Sequence, residues 1–154
     1  MKKLYPILII SLLFLSVGLS QQEYDINHII ERDGVYVKKF SDERISGKVF
    51  QMFGDVKVPL GMVKDGKKEG KWRVWNENEQ MWGEGTFKDG KKDGLWVDWK
   101  SSGQKRSEGT YKDGERDGLW TYWYENGQKK WEATYKDGKE ISYKCWDEYG
   151  ILIE

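Results

Sequence analysis

The acidic residues that could act as general acids or bases recur at a fixed interval. Asp65, Asp89, Asp113 and Asp137 are 24 residues apart, and each is followed by glycine. Acid/base catalysis requires individually distinct carboxyl groups that converge in a pocket, whereas Asp-Gly pairs are typical of turns. We therefore interpret these residues as turn formers, and we predict no catalytic residue and a protein that is not an enzyme.

Metal, redox and cofactor chemistry also lack the residues they need. His28 and Cys145 are the only histidine and the only cysteine of the sequence. A metal site combines several such ligands, and a disulfide within the chain needs a second cysteine. The sequence contains no phosphate-binding loop, nucleophile elbow or zinc-protease motif. We predict no metal and no cofactor, and we interpret Cys145 as a small apolar strand residue.

Tryptophan and tyrosine offer a different chemistry, the stacking of rings at a binding surface. The chain has 9 Trp and 9 Tyr. Six tryptophans recur at the 24-residue interval and are assigned to the structure of the repeat, in two registers: Trp72, Trp96 and Trp120, and Trp75, Trp99 and Trp123.

Two tryptophans do not recur. The positions equivalent to Trp82 hold Arg106 and Lys130, and those equivalent to Trp131 hold Gly83 and Ser107. A residue needed by every unit should be present in every unit, whereas a residue selected for contact need not be. We therefore predict that Trp82 and Trp131 serve recognition, and we take Tyr122 and Tyr124 as further binding candidates.

The elements that must position these rings are repeated as well. Lys-Asp-Gly begins at Lys64, Lys88, Lys112 and Lys136, and such a fixed period indicates stacked units. We predict units at 64–87, 88–111 and 112–135 and a capping unit at 136–154. Residues 21–63 form an N-terminal segment, with a degenerate copy from Arg32 and an insertion at 49–63 that fits no repeat and is expected to form its own strand pair.

Each unit is predicted to be a β-hairpin. Asp-Gly favours a type I′ turn, because glycine takes positive φ without steric cost, and the turn glycines are Gly66, Gly90, Gly114 and Gly138. Ser102-Gly103 and Asn126-Gly127 supply the second turn, and Glu79 replaces the glycine in the first unit, where a looser loop is expected. The fold class is all-β, an elongated single-layer antiparallel β-meander built from tandem ~24-residue β-hairpin repeats.

Strand alternation predicts which side chains share a face of this sheet. Trp120 and Tyr122 should lie on one face, with Thr121 and Trp123 on the other, so both faces are expected to carry aromatic rings. Glycines on the return strand leave room for an indole to lie flat across the sheet, and rings can then replace a second layer; these glycines are Gly85 and Gly109.

The first twenty residues resemble a secretory signal peptide. Lys2 and Lys3 precede an apolar run at 4–15, and a small, weakly polar stretch ends at Ser20. We predict cleavage after Ser20 and export to the periplasm or the extracellular space. The alternative is an uncleaved membrane anchor, although the apolar run is shorter than the ~20 residues of a span. An uncleaved leader would be the only contact with the membrane that we expect.

The charge balance excludes some partners. The chain has 26 basic and 26 acidic residues, and the two signs alternate. A nucleic-acid-binding protein shows a basic excess on one face, and binding to acidic lipid also needs basic clusters. We therefore predict no nucleic-acid partner, and we disfavour acidic lipid.

The units "DGLWVDWKSSGQKRSEGTYKDGK" and "DGLWTYWYENGQKKWEATYKDGK" resemble the bacterial MORN repeat variant, and the resemblance covers about Lys64 to Trp146. It implies an elongated, twisted array of β-hairpins that contacts proteins or membranes and performs no chemistry. Some relatives are named antitoxin-like, a cytoplasmic role that the export leader opposes.

Function is therefore predicted at the level of binding. The first hypothesis is a non-catalytic exported scaffold that mediates protein–protein contacts in the cell envelope. The alternatives are a glycan-binding module with Trp and Tyr platforms, for which Gln104, Asn126 and Gln128 are the available polar neighbours, and an antitoxin-like or immunity-like protein.

Overall fold

A computed structural model describes residues 22–153, and their regular secondary structure is almost entirely β-strand. The strands are β1 (Glu23–Asp25), β2 (Ile29–Arg32), β3 (Val35–Lys38), β4 (Gly47–Phe53), β5 (Val56–Lys64), β6 (Lys67–Trp75), β7 (Met81–Lys88), β8 (Lys91–Trp99), β9 (Lys105–Lys112), β10 (Glu115–Trp123), β11 (Lys129–Lys136) and β12 (Lys139–Cys145). One 3₁₀ helix, Ile26–His28, follows β1.

The strands form one long open sheet and one small hairpin. The 10-stranded sheet has the order β1-β4-β5-β6-β7-β8-β9-β10-β11-β12, and β2 pairs with β3 alone. Strands β4 to β12 pair antiparallel in chain order, as expected for a meander. The sheet is nevertheless mixed, because β1 pairs parallel with β4 after the β2–β3 hairpin has turned the chain.

The Asp-Gly turns have the predicted conformation. Both central residues have positive φ, which defines a type I′ turn. In the third unit φ is 52° at Asp113 and 94° at Gly114, and the other glycines have φ of 81° at Gly66, 84° at Gly90 and 76° at Gly138.

The second set of turns is equally regular, and the looser loop expected at Glu79 is not observed. Glu79 itself takes the left-handed conformation, with φ of 60°. Its backbone N–H donates to the carbonyl of Asn76 at 3.1 Å, as Gly103 does to Lys100 and Gly127 does to Tyr124. The side chain of Asn76 accepts the backbone N–H of Asn78 and of Gln80, and these bonds hold the turn in place of the glycine.

The segment 49–63 forms the expected strand pair, but it also follows the repeat. It supplies most of β4 and β5, which pair antiparallel. A Cβ atom placed on Gly61 would lie 2.5 Å from Cδ2 of Trp72, just as Gly85 lies beneath Trp96 and Gly109 beneath Trp120. The sheet therefore continues the same glycine–indole contact one unit further toward the N-terminus.

These indoles form the core along the repeats, and the β2–β3 hairpin covers its N-terminal end, where Tyr36 stacks on Trp72 and Ile29 is buried. Trp72, Trp96 and Trp120 are 4%, 6% and 2% exposed. Each indole donates its Nε1–H to a backbone carbonyl ten residues earlier, at distances from 2.9 to 3.2 Å. The rings continue edge to face through Phe87 and Tyr111, with centroids 5.0 to 6.1 Å apart, which is favourable geometry for aromatic pairs.

Cations at the repeat interval cover the outer side of these rings. Nζ of Lys68 lies 4.7 Å from the ring centroid of Trp72, and Nζ of Lys92 lies 3.9 Å from that of Trp96. Cζ of Arg116 lies 4.4 Å from the ring centroid of Trp120. Burial against the rings lowers the pKa of Lys68 from its ordinary value. The alkyl stems and charged ends of these side chains thus do part of the work of an opposing layer.

The central part of the opposite face carries aliphatic, hydroxyl and acidic side chains. Leu95 pairs across the sheet with Thr110, Leu119 pairs with Thr134, and Thr121 pairs with Glu108 and Glu132. These pairs make a face of Leu, Thr and Glu, on which Leu119 is 54% exposed. The extra residue of the bulge lies on β11, and the ring of Trp123 lies 5.8 Å from Nζ of Lys105, which pairs with Glu108 of this face, so Trp123 keeps the side that alternation along β10 predicts.

Candidate partner-binding groove

A groove of about 600 Å³ opens where β7 to β11 meet the second set of turns. Its aromatic lining comes from Trp82, Trp99, Tyr122, Trp123 and Trp131. Its polar lining comes from Asn76, Lys100, Ser101, Arg106, Glu125 and Lys130. The volume lies within the range of ligand-binding clefts.

β-Bulges create this lining. Val74 pairs with Gly83 but Trp75 pairs with Met81, which leaves Trp82 as the extra residue of β7. The same shift leaves Arg106 as the extra residue of β9 and Lys130 as that of β11. A bulge redirects a side chain out of the regular alternation. The bulge residue of each unit therefore takes no part in the packing that recurs in every unit, and its identity differs from unit to unit.

The structure brings three of the four predicted binding residues together in this groove, namely Trp82, Tyr122 and Trp131. Tyr124 lies outside it. The hydroxyl of Tyr124 donates to the carbonyl of Trp146 at 3.0 Å, which ties the C-terminal segment to β10. The three tryptophans of the second register have different environments. Trp99 and Trp123 line the groove, whereas Trp75 packs against the core.

The rings in the groove differ in how firmly they are held. Trp82 is 42% exposed, far more than the indoles of the core. Trp131 is half-buried and stacks on Tyr122 with centroids 4.2 Å apart and an interplanar angle of 12°. Tyr122 accepts a hydrogen bond from Nη2 of Arg116 at 2.8 Å. Burial raises the pKa of Tyr122, and the nearby Arg116 opposes this shift. Trp131 therefore supports the ring ladder as well as the groove, whereas Trp82 stands apart from it.

The charges of the groove are unequally compensated. The side chain of Lys100 is 8% exposed, and its Nζ donates to the carbonyl of Tyr124 and lies 3.7 Å from Oε1 of Glu125. Glu125, the acidic residue of the groove lining, is thus paired with Lys100. Within residues 22–153, the guanidinium of Arg106 makes no ion pair, hydrogen bond or ring contact, and Nζ of Lys130 meets only the ring of Tyr124, at 5.4 Å.

The amides proposed for sugar recognition are placed elsewhere. Gln104, Asn126 and Gln128 are not part of the groove lining. Nδ2 of Asn126 donates to the carbonyl of Glu148 at 2.6 Å, and its Oδ1 accepts the N–H of Gln128. The amide of the groove, Asn76, already accepts two backbone N–H groups of its own turn.

The repeated aspartates lie apart from the groove, one in each Asp-Gly turn. No group of three or more His, Cys, Asp and Glu side chains that could hold a metal ion occurs in the described part of the chain. Over the same residues no helix has the length and apolarity needed to cross a membrane. Cys145 is half-buried and pairs across the sheet with Trp131.

Sequence reasoning missed Arg106, Trp99 and Trp123 as groove residues and the cations at 68, 92 and 116 as ring covers. The three cations could have been identified from the sequence, since they recur at the 24-residue interval. The groove residues had a weaker signal, since the position of Trp82 changes from an aromatic to a basic side chain between units.

Comparisons with known proteins agree with the repeat architecture. Neither the curated proteins nor the solved structures contain a significant match. Three tandem segments match one repeat family, at residues 68–89, 92–113 and 116–137. Each segment begins at the cation that covers a core indole and ends at the aspartate of the following turn. The chain therefore carries three tandem repeats that match the MORN repeat variant.

Proposed function

We propose that this protein is a non-catalytic, exported scaffold that binds a protein partner in the cell envelope through the aromatic groove. The observation that carries the proposal is the grouping of Trp82, Tyr122 and Trp131 with Trp99 and Trp123 around one open groove. MORN repeats are in general scaffold modules, and the match to three of them supports a non-catalytic repeat protein.

The division of labour among the aromatic residues supports a binding role. The indoles at 72, 96 and 120 are buried against glycines of the neighbouring strand, so they cannot also contact a partner. Trp82 differs, because it is exposed and occupies a bulge that the packing does not need. Aromatic and arginine side chains are enriched at protein interfaces and among the residues that contribute most to binding.

Export remains part of the proposal. It rests on the leader at 1–20, which lies outside the described residues, and on the predicted cleavage after Ser20. Export would place the groove in the periplasm or outside the cell, and membrane contact would arise only if the leader were retained.

Capture of the partner by tryptophan variants tests this function. Protein expressed with its leader is recovered from envelope extracts after crosslinking, and the crosslinked partner is quantified. We expect Trp82→Ala to weaken capture by about 1 kcal/mol or more and to leave the melting temperature almost unchanged, because the ring is exposed. The control Trp96→Ala should instead destabilise the fold by about 3 kcal/mol. Unchanged capture by the Trp82 variant would contradict the proposal.

Glycan binding is the second candidate, and the open ring of Trp82 beside Ser101 is the observation that favours it. Stacking of sugar rings on exposed tryptophan needs nearby polar groups to fix the hydroxyls. A glycan array probed with the same two variants separates the candidates, since a glycan module should bind a defined oligosaccharide and lose it with Trp82→Ala.

A further inference from the structure

We propose that the groove binds an extended acidic peptide segment, with Arg106 and Lys130 holding carboxylates and the tryptophans holding apolar side chains. This inference rests on the proposed protein-binding function and adds the chemistry of the partner. It starts from the charge of the groove. Glu125 is already paired with Lys100, so the remaining charges of the lining are the two cations at bulge positions.

The unpaired guanidinium is the strongest of these observations. Arg106 has no partner within residues 22–153, whereas the neighbouring bases Lys105 and Lys129 are paired with Glu108 and Glu132. A guanidinium beside aromatic rings binds a carboxylate well, because the rings exclude water from one side of the ion pair. A basic segment would be repelled at the same place.

The spacing of the bulges sets the spacing of the peptide. Trp82, Arg106 and Lys130 lie on β7, β9 and β11, and each of these strands is separated from the next by one intervening strand. Neighbouring strands are about 4.8 Å apart, so successive bulge residues are about 10 Å apart. An extended peptide that crosses the strands advances about 3.3 Å per residue and covers this distance in about three residues.

A binding motif follows from this geometry. An apolar residue would contact Trp82, an Asp or Glu about three positions later would meet Arg106, and a second acid about three positions after that would meet Lys130. The intervening side chains would lie over Trp99 and Trp123, which are on the strands between the bulges.

The polar lining favours a peptide over a neutral sugar. Recognition of hydroxyls needs uncommitted amides or carboxylates, but Asn76 is engaged in its own turn and Glu125 is engaged by Lys100. Apart from the hydroxyl of Ser101, the groups that remain available are cations, and they select for negative charge. An acidic polysaccharide shares this charge without the spacing of apolar and acidic side chains, so it is treated as an outcome of the test.

Peptide selection tests the inference directly. The protein purified after expression of the full chain is used to select from a display library of random peptides, and the enriched peptides are measured by fluorescence anisotropy. We expect enrichment of an apolar residue followed by Asp or Glu at intervals of about three. Replacing those acids by Asn or Gln should weaken binding about tenfold or more, and so should a rise from about 0.05 to 0.5 M salt.

Two charge reversals on the same strand provide the matched comparison. Arg106→Glu should weaken binding of the acidic peptides about tenfold or more. Lys112→Glu changes the same charge at the far end of β9, and it should alter binding by less than about twofold. Both residues are exposed, so both variants should fold.

The outcomes separate this inference from the function on which it rests. Enrichment of neutral or basic peptides, or equal effects of the two reversals, would overturn the acidic partner. If Trp82→Ala then still weakens peptide binding, the groove remains a protein-binding site. If neither Trp82→Ala nor Arg106→Glu has an effect, the groove is not the site and both proposals fail. Binding of polygalacturonate but of no peptide would also overturn the inference, in favour of an acidic glycan.

Discussion

Replacing Gly85 by alanine should disrupt the central contact of this sheet. Gly85 on β7 pairs with Trp96 on β8, and the indole lies across the glycine. A Cβ atom on residue 85 would lie 2.5 Å from Cγ of Trp96 and closer still to Cδ2 and Cε2. Contacts this short do not occur, so the indole must move.

The magnitude follows from what the indole loses. Its displacement breaks the hydrogen bond from Nε1 to the carbonyl of Thr86, which is 3.2 Å long and contributes about 1 kcal/mol. Overpacking of a tight contact costs about 1–3 kcal/mol more, and the reduced freedom of the unfolded chain returns about 0.5 kcal/mol. We expect Gly85→Ala to lower the free energy of unfolding by about 2–3 kcal/mol and the melting temperature by roughly 10 °C.

Gly83 on the same strand is the matched control. A Cβ atom there would lie 3.1 Å from Oδ1 of Asp98 and 3.8 Å from Val74. The carboxylate needs to move by only a few tenths of an ångström and can do so while its Oδ2 keeps the hydrogen bond from Ser107, whereas the indole of Trp96 is enclosed by Phe87, Tyr111 and Lys92. Gly83→Ala should therefore change stability by no more than about 0.5 kcal/mol.

Urea unfolding of a double-mutant cycle tests the cause. In a Trp96→Ala background the ring is absent, so Gly85→Ala should be nearly neutral, with a coupling energy of about 2–3 kcal/mol between the two positions. Equal stabilities of the Gly85→Ala and Gly83→Ala proteins would refute the reasoning. An equal cost of Gly85→Ala with and without the tryptophan would refute it as well, since the effect would then lie in the backbone.

The remaining predictions concern turns. Glu79→Gly should stabilise the protein by about 1 kcal/mol in urea unfolding, because Glu79 has φ of 60° and glycine takes that conformation freely; a loss of stability would mean that the Glu79 side chain has a role of its own. Gly114→Val should destabilise by more than about 1 kcal/mol, since φ is 94° there, whereas Lys112→Ala in the neighbouring strand should stay within about 0.5 kcal/mol of the parent; equal melting temperatures would remove the strain argument.

Local rules account for the parts of the fold that were predicted from the sequence. The type I′ turns depend on Asp-Gly pairs alone, and the contact of Trp96 with Gly85 depends on one ring and one missing side chain. Both are visible in a single unit, and the 24-residue period then extends them along the chain. The repeat of the Gly61 contact in β5 was missed because the surrounding residues have diverged while the glycine has not.

Other features depend on interactions that no single unit reveals. The parallel pairing of β1 with β4 joins segments separated by a hairpin, and no repeated sequence pattern predicts it. The bulges insert one extra residue into each of β7, β9 and β11, and strand alternation alone does not predict where that residue lies. The groove depends on the bulges of three successive units, so strand alternation could not predict which residues line it. Trp82 and Trp131 were nevertheless recognisable in the sequence, because they do not recur.

The fold and the groove follow from the same property of a repeated single-layer sheet. Every unit must bury its indole, and it does so with a glycine beneath the ring and a cation above it, as Gly109, Trp120 and Arg116 show. This arrangement leaves the bulge position of each unit outside the core, because the register shift removes its side chain from the ladder. Substitutions at that position therefore change the surface without disturbing the stack. The replacement of tryptophan by arginine and then by lysine along the bulges can thus create a row of different contacts on a uniform scaffold, which is what recognition of an extended partner requires.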